Sequence, residues 1–474
     1  MELQVVPLII VSAYLIGMLI VCYVFGKLKI KTSEDYMLAG RRIGIFMVAF
    51  SLSANNIGGG STTGLAAKAF GSWGFSAIWY VFAASLAMIP LAYFAPKIRK
   101  TMAVTIPEVI SRRYGRTSAT FSAVLNITAL FCLTASQIAA SGSVITVLTG
   151  IPLNVCLILA GIVIITYTTL GGMIADQISD VVQFIIIFVG LAIATPFVIS
   201  GIGGWDVVAA KLPMDHLSID KVGWVVIIGY IFNYFCTFLS GPEMISRFET
   251  AKDEKTAMRG SLLSGVLMAA MAIFPTLLGL CALAVKDVIP GIDAGNSMMG
   301  VTSAFAPSLI TGLISAAIIS ATMSSADSNL LCLSTMIMND IVKVYSKKEF
   351  TDLQVIRYTR LSNVFFAVLA IFISFAGINI ITMNTFAFAI RCSGPFAAYG
   401  LGLVLPRVSV NAGRYSIVTG TIGVVVWQIL SGGNFYLGIL PVVFGCGIGI
   451  ITFFIVNYFD LKNGKEIAPS AYEE

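Results

Sequence analysis

Long apolar runs separated by short polar connections make up most of this chain. Runs of about 18 residues or more are long enough for an α-helix to cross a bilayer. They predict about thirteen transmembrane helices, centred near residues 17, 57, 84, 133, 161, 188, 234, 270, 325, 367, 392, 423 and 447. No connection is long enough for a second domain, so residues 1–474 are predicted to form one all-α membrane domain.

The second apolar run, residues 43–70, contains the most unusual pattern, because residues 53–64 are S-A-N-N-I-G-G-G-S-T-T-G. Three consecutive glycines and two asparagines disfavour a continuous helix. In lipid a broken backbone leaves costly unpaired amides and carbonyls, so a break is tolerated only beside a polar cavity or an ion. The pattern predicts a discontinuous helix with a binding site near mid-membrane, as in secondary transporters.

A second interruption, L-S-G-P-E at residues 239–243, lies five predicted helices after the first. Breaks at corresponding places in successive five-helix units are typical of an inverted repeat. The predicted units are residues 43–200 and 222–405, with one helix before them at 6–28, two helices after them within 413–459, and a cytoplasmic tail at 460–474. The alternative is a simple Gly-Pro kink, which is common in membrane helices.

Composition and charge agree with a multi-pass protein of the cell membrane. The chain has 58% hydrophobic and 11% charged residues and a mean hydropathy of +0.94. With the N-terminus outside and the C-terminus in the cytoplasm, 24 of its 29 basic residues fall in cytoplasmic loops, as expected for short loops. Arg247 is placed in one of these loops. The net charge of +6 is thereby explained by topology and does not indicate nucleic-acid binding.

Enzyme chemistry has few candidate residues in this sequence. The single histidine, His216, falls in a predicted outer loop, which excludes Ser-His-Asp arrangements and histidine metal triads. The eight cysteines all lie in apolar segments without C-x-x-C spacing and are interpreted as small core residues. The chain is therefore not expected to be an enzyme or to need a cofactor.

A third polar pattern, I-S-A-T-M-S-S-A-D-S-N at residues 319–329, lies within the ninth predicted helix. Ala321, Ser324 and Ser325 share one helix face at spacings of three and four residues. Together with the carbonyls of Ala54 and Ile57 in the first break they provide five neutral oxygens, which suit a small hard monovalent cation. The alternative is that these small residues only allow close helix packing.

Two carboxylates, Asp180 and Asp327, lie deep in apolar sequence, where an ionised group costs at least about 2.5 kcal/mol. Such groups bind cations or protons by default. A structural arginine partner for Asp180, or a helix-capping role for the nearby Asp176, is the alternative.

At these segments the chain resembles the sodium:solute symporter family, which includes sodium-coupled glucose, proline, pantothenate and monocarboxylate transporters. The resemblance covers nearly the whole chain. It rests on the first break, on the double serine, and on three further segments: I-P-E-V-I-S-R-R-Y-G at 106–115, G-G-M-I-A-D-Q-I-S-D-V-V-Q at 171–183 and S-R-F-E-T-A-K-D-E-K-T-A-M-R-G at 246–260. It implies the LeuT-type inverted five-helix repeat with one helix before and two after.

The resemblance also implies import of a small organic solute with Na+ by alternating access. It assigns the sodium site to the same five groups and the family's aspartate to Asp180. Members with a second sodium have two serines where this chain has Asp327 and Ser328. Because Asp327 replaces a hydroxyl, we expect a second cation, or a proton, at Asp180, Asp327 and Ser328.

The polar residues of the predicted pocket favour a small carboxylate over a sugar. Sugar-carrying relatives have a Gln or His at the position of Ser61 and a different polar residue at that of Thr237, which disfavours a sugar. Arg391 suits a carboxylate, or it pairs with Asp327 or another acid, or caps a helix. A monocarboxylate or amino acid is the leading class. The polar candidates for its pocket are Ser61, Thr62, Gln137, Asn233, Tyr234, Thr237 and Arg391.

Three alternatives remain open at this stage: a proton-coupled symporter of the same fold, a channel, and a transporter-like sensor. A channel needs a continuous polar path, and a sensor needs a signalling domain beyond the short tail. No obligatory protein partner is indicated. Lys68, in the second apolar run, is expected to extend toward the outer membrane interface.

Overall fold

The computed structural model describes residues 5–346, 348–377, 380–432 and 439–472. Within these ranges every regular element is a helix. The helices up to the end of the first predicted repeat are α1 (Val5–Lys29), α2 (Ser33–Leu38), α3 (Ile45–Asn56), α4 (Thr63–Phe70), α5 (Trp79–Lys100), α6 (Ile106–Tyr114), α7 (Arg116–Thr149) and α8 (Leu153–Ile202). Short 3-10 helices at Ala39–Arg41 and Gly74–Ile78 precede α3 and α5.

The remaining helices follow residues 203–223, the predicted outer connection, which holds α9 (Trp205–Lys211) and a 3-10 helix at Met214–Leu217. They are α10 (Trp224–Leu239), α11 (Pro242–Thr250), α12 (Glu254–Met271), α13 (Ile273–Ala284), α14 (Ser297–Phe305), α15 (Ser308–Met336), α16 (Lys343–Tyr345), α17 (Asp352–Ser374), α18 (Ile380–Ser393), α19 (Gly402–Val404), α20 (Val410–Ser431) and α21 (Pro441–Lys462). π-Helices at Ile337–Val342 and Ala397–Leu401 connect α15 to α16 and α18 to α19.

Membrane spans can be recognised by length and apolarity, and the described residues contain eight such helical segments. The number rises to as many as ten if two bent pairs each count as one span. One of these pairs is α10 with α11, which are bent by 59°. The thirteen predicted centres all fall within described helices or, for residue 57, in the break between α3 and α4. The count of thirteen and the repeat boundaries stay predictions.

The longest helix, α8, is divided by a glycine. A straight helix of 50 residues would be about 75 Å long, far more than the roughly 30 Å of a hydrocarbon core. Gly172 interrupts it with φ +59° and ψ −179°, at the Gly-Gly pair noted in the sequence. A Cβ there would lie 2.8 Å from the ring of Tyr36, so both the dihedral angle and the space require glycine.

Helix α15 forms the centre of the structure. Its most apolar stretch is 89% buried, whereas the corresponding stretches of α1 and α17 are only 22% and 28% buried. It packs against α1, α7 and α8, so the polar residues of 319–329 all lie in the interior. The outer helices present large apolar side chains such as Ile9, Phe372 and Ile429 at the surface, as a lipid-facing layer requires.

The cysteines lie where the sequence predicted. All eight are free, and seven of them are buried.

Candidate functional site

The break between α3 and α4 confirms the discontinuous helix predicted from residues 53–64. Helix α3 ends at Asn56, and Ile57 leaves the helical region with φ −92° and ψ 73°. Several backbone groups of the break are satisfied locally or by α7. The amide of Gly59 donates to Oε1 of Gln137 at 3.0 Å, and the hydroxyl of Ser61 donates to the carbonyl of Asn56 at 2.9 Å.

The three glycines of the break are explained by close neighbours on three other helices. A Cβ on Gly58 would lie 2.7 Å from the hydroxyl of Ser325, and one on Gly59 would lie 2.7 Å from Ala140. A Cβ on Gly60 would lie 2.9 Å from the amide nitrogen of Asn384. The glycines therefore let α15, α7 and α18 approach the broken backbone directly.

Ser325 of α15 contacts the first break. Its hydroxyl donates to the carbonyl of Asn55 at 2.8 Å and lies 3.2 Å from the carbonyl of Ala321 on its own helix. Ala54 and Ile57 are buried beside it. In the described part of the chain no amide beyond α3 donates to their carbonyl oxygens, which leaves these oxygens available to a ligand.

Ser324 is directed elsewhere, because its hydroxyl donates to Oδ1 of Asp180 on α8. The two adjacent serines therefore contact different groups. Ser325 contacts the first break, and Ser324 contacts a buried cluster of charged residues. Of the predicted sodium ligands, Ser325 contacts the break, whereas the hydroxyl of Ser324 is directed to Asp180 in the charged cluster.

The charged cluster is centred on Arg247 of α11, which is fully buried. Its Nη2 lies 2.8 Å from Oδ2 of Asp180 and 3.2 Å from Oδ2 of Asp176. The same guanidinium donates to Ser328 at 2.5 Å and to Ser51 at 2.7 Å. One arginine thereby links α11 with α3, α8 and α15.

This position corrects the sequence analysis, which placed Arg247 in a cytoplasmic loop. Arg247 lies in a helix behind the second break, and the charge-rich residues that follow it made this segment resemble a loop. The arginine partner that was considered for Asp180 is present. Asp176 does not cap a helix start but lies inside α8, where it accepts hydrogen bonds from Arg247 and Ser328.

Asp327 lies at the edge of the same cluster and is 2% exposed. Its Oδ1 accepts the amide of Ser328 at 2.8 Å, whereas Oδ2 has no hydrogen-bond partner in the described structure. Asp327 and Asp176 line a cavity of about 10 Å³, roughly the room that one water molecule needs.

A larger polar cavity lies beside the first break, between α3, α5, α7, α10, α11, α15 and α18. Four of the seven predicted substrate residues line it: Ser61, Gln137, Tyr234 and Arg391. Ser325 also lines it, so the candidate sodium site and the candidate substrate site share a wall.

The other three predicted substrate residues do not line this cavity. Thr62 is fully buried, and its hydroxyl donates to the carbonyl of Gly58 at 3.0 Å. Thr237 is also buried and accepts a hydrogen bond from the thiol of Cys392. Asn233 lines an adjacent cavity with Tyr80 and Tyr234.

Arg391 is buried and pairs with an acid, which is one of the alternatives that the sequence left open for it. Its Nη1 lies 2.6 Å from Oε1 of Glu243 on α11, and Asp327 is not its partner. Lys68 is half-buried, with its ammonium 4.1 Å from the centre of the Trp73 ring and 5.3 Å from that of Tyr80.

Sequence reasoning missed several residues that line the polar cavity beside the first break. The missed residues are Asn55, Asn56, Tyr80, Glu243, Asn329 and Asn384. The asparagines of the first break and Glu243 of the second break carried a usable signal, since both breaks were predicted to line a site. Tyr80 and Asn384 lie on helices without an unusual pattern, so only the packing identifies them.

Comparison with known proteins decides the family. The model of the sodium:solute symporter family matches residues 36–420. The chain belongs to the sodium:solute symporter family. It is 26% identical to the osmoregulated proline transporter OpuE of Bacillus subtilis (strain 168) over 97% of this chain and 96% of the relative. It is also 26% identical to a sodium/proline symporter of Staphylococcus aureus, over 96% and 93% of the two chains.

Solved structures establish the fold. A Na+-coupled sialic acid symporter in a substrate-bound, outward-open state matches with a TM-score of 0.83 at 20% identity, over 98% of each chain. Mhp1, a nucleobase-cation-symport-1 family transporter, matches with a TM-score of 0.57 at 15% identity, over 90% of this chain and 95% of that chain. These likenesses confirm the predicted all-α membrane protein of LeuT-type fold.

Family membership also confirms the predicted activity at its general level. This symporter is a multi-pass membrane protein that couples transport of a small organic solute to Na+. Members of the family are transporters and not enzymes.

Arg247→Gln is expected to lower the free energy of unfolding by about 3–5 kcal/mol, because it leaves buried carboxylates without their cation. Thermal unfolding of the purified protein in detergent measures this loss. The double variant Arg247→Gln/Asp180→Asn is expected to recover part of it. An unchanged melting temperature in Arg247→Gln would show that the cluster does not depend on this cation.

Proposed function

We propose that this symporter imports a small amino acid or monocarboxylate together with sodium. The observation that carries the proposal is the shared wall, since Ser325 touches the first break on one side and lines the substrate cavity on the other. The relatives named as proline transporters support a small solute of this kind. A sugar is disfavoured because Ser61 and Thr237 replace the polar residues of sugar-carrying relatives.

The proposed sodium site consists of the carbonyls of Ala54, Ile57 and Ala321 and the hydroxyls of Ser324 and Ser325. Because the hydroxyl hydrogen of Ser324 is donated to Asp180, Ser324 joins the site only through a lone pair of its oxygen. Its support is the approach of Ser325 to the broken end of α3, where free carbonyls lie beside a hydroxyl. Neutral oxygens suit a hard monovalent ion. A bound sodium would join α3 to α15 and would thereby fix one wall of the substrate cavity.

The proposed second site consists of Asp180, Asp327 and Ser328 and takes a second cation or a proton. Asp176, Asp180 and Asp327 are three buried carboxylates, and Arg247 is the only basic group that the described structure places at ion-pair distance from any of them. Buried charges need compensation. Oδ2 of Asp327 has no hydrogen-bond partner in the described structure, and Asp327 and Asp176 line a small cavity beside the proposed site, which supports binding of a cation or proton there.

The proposed orientation has the N-terminus outside and the C-terminus in the cytoplasm. Its support is that the predicted cytoplasmic segments contact one another. Ser33 contacts Asp352 at 2.6 Å, and Arg414 contacts the carbonyl of Tyr114 at 2.9 Å. Arg116, at the start of α7, donates to the carbonyl of Val344 and joins these two contacts. The segments before α3, after α6 and before α17 and α20 thus lie at one end of the bundle, and their basic residues favour the cytoplasmic side for it.

Alternating access follows from this arrangement. Sodium enters from the outside, joins α3 to α15 and orders the cavity beside the two breaks, and a movement of the helices then opens both sites inward. A potential of 100 mV contributes about 2.3 kcal/mol per charge. Each net charge carried inward therefore sustains roughly a fifty-fold solute gradient.

Ser325→Ala is expected to raise the half-saturating sodium concentration for uptake about tenfold, because it removes one of five ion ligands. Solute uptake into proteoliposomes at graded sodium concentrations measures the shift. Ser315→Ala is the matched control, since Ser315 is buried on the same helix and its hydroxyl contacts the carbonyl of Thr311 and the sulfur of Met299, away from the proposed sodium site. Equal shifts in both variants would mean that the serines serve packing.

Asp327→Asn is expected to remove the second coupled charge. Either the Hill coefficient for sodium falls toward one, if the charge is a cation, or the dependence of uptake on pH is lost, if it is a proton. Asp215→Asn, in the outer connection, is the control for a carboxylate remote from the site. Unchanged sodium and pH dependence in Asp327→Asn would rule out a coupling role for this residue.

A further inference from the structure

The second break places an ion pair in the wall of the substrate cavity. Glu243 follows the Pro242 that begins α11, and Arg391 belongs to the last turn of α18. The two side chains meet at 2.6 Å, and both are buried. Gly241 makes room for them, because a Cβ there would lie 2.9 Å from Oε1 of Glu243 and 3.1 Å from Nη2 of Arg391.

The pair does not use its full hydrogen-bonding capacity. Oε2 of Glu243 and Nε of Arg391 have no partner in the described structure. Oδ1 of Asn55, across the same cavity, has none either. A buried polar atom without a partner costs about 1–3 kcal/mol, and more when the group is charged. Both members of the pair therefore have an unsatisfied atom, and both residues line the cavity proposed for the solute.

We infer that the solute is a zwitterion whose ammonium group is bound by Glu243 and whose carboxylate is bound by Arg391. This inference rests on the proposed function and narrows its substrate class to amino acids and related zwitterions. The solute completes the hydrogen bonds of both charged residues. A carboxylate oxygen accepts from the Arg391 guanidinium, and an ammonium N–H donates to the free oxygen of Glu243.

Charge balance separates a zwitterion from a monocarboxylate. Arg391 alone would attract an anion, but Glu243 lies within contact of it, so a monocarboxylate would enter beside a negative charge. Its binding would also leave the free oxygen of Glu243 unpaired. A zwitterion adds no net charge to the pair and satisfies both ends. A sugar, which carries no charge, would leave both ionised groups dependent on neutral hydrogen bonds, which are weaker.

Aromatic side chains complete the cavity around this pair. The Arg391 guanidinium lies 5.0 Å from the centre of the Phe388 ring. Tyr80 and Tyr234 contact each other edge to face, with ring centres 5.9 Å apart, and both line the cavity. These rings provide an apolar wall for the carbon skeleton of a small zwitterion, while the ion pair fixes its charged ends.

The test compares solutes that differ only in charge. L-proline, cyclopentanecarboxylate and pyrrolidine share one ring size and carry both charges, only the carboxylate, or only the ammonium group. Thermal stabilisation of the purified wild-type protein is measured with each of them in sodium and in potassium, alongside pools of other amino acids, short carboxylates and hexoses. We expect proline or an amino-acid pool to stabilise the protein. The analogues that carry only one charge are expected to bind at least about tenfold more weakly.

Two variants then show which charged group of the zwitterion each residue of the ion pair binds. Glu243→Gln is expected to weaken zwitterion binding about tenfold to a hundredfold. In this variant the affinity for cyclopentanecarboxylate is expected to approach that for the zwitterion, because Arg391 loses its competing anion. Arg391→Gln is expected to weaken the binding of both the zwitterion and cyclopentanecarboxylate. Glu254→Gln, an exposed carboxyl at the start of α12, is the matched control. A purely structural ion pair would instead weaken all solutes by the same factor in Glu243→Gln.

Failure of this inference differs from failure of the proposed function. A carboxylate or hexose that binds as well as any zwitterion, or the absence of a response to every zwitterion, would overturn the inference. Zwitterion binding that is equal in sodium and potassium would contradict sodium coupling and still support recognition by Glu243 and Arg391. The wild-type comparison decides the inference even if a variant does not fold.

Discussion

A helix that is interrupted inside a membrane must satisfy its own backbone, and this constraint organises the whole molecule. Three glycines at 58–60 open the first break, and neighbours from three other helices supply its contacts. The side chain of Gln137 in α7 accepts a hydrogen bond from the backbone amide of Gly59, and the hydroxyl of Ser325 in α15 donates to the carbonyl of Asn55. The carbonyls of Ala54 and Ile57 remain unpaired in the described structure, which leaves them free for the cation that we propose to bind there.

The two breaks provide different chemistry. The first offers neutral oxygens, which suit a hard monovalent ion. The second offers opposite charges, because Glu243 at the start of α11 meets Arg391 of α18. Met244, the residue after Glu243, connects the two breaks, since the side-chain amide of Asn56 in the first break donates to its sulfur at 3.2 Å. The side chain of Asn55 also contacts this sulfur, at 3.6 Å, so the two breaks are in direct contact.

The pattern of the sequence predicted the helices and both breaks because each has a local cause. Apolar length sets a span, and Gly, Asn and Pro disfavour helix where they cluster. Asp327 was also recognisable, since a carboxylate in apolar sequence is rare. These features need no knowledge of how the helices pack.

Partners across helices could not be predicted in the same way. Arg247 precedes a run of charged residues and so resembled a loop residue, yet it is buried against Asp176 and Asp180. The contact of Ser324 with Asp180, while the adjacent Ser325 contacts Asn55, depends on where α8 and α3 lie relative to α15. Helical spacing gives the face on which a residue lies, but the neighbour of that face is a property of tertiary packing.

The most direct test of the central claim, that sodium joins the broken α3 to α15, is hydrogen–deuterium exchange of the purified protein in sodium and in potassium. The account predicts slower exchange in sodium for peptides that cover residues 54–62, and for those that cover the second break at 239–243. It predicts no change in the outer connection at 205–223. Equal exchange in sodium and potassium at the first break, under conditions in which sodium supports solute uptake, would contradict the account.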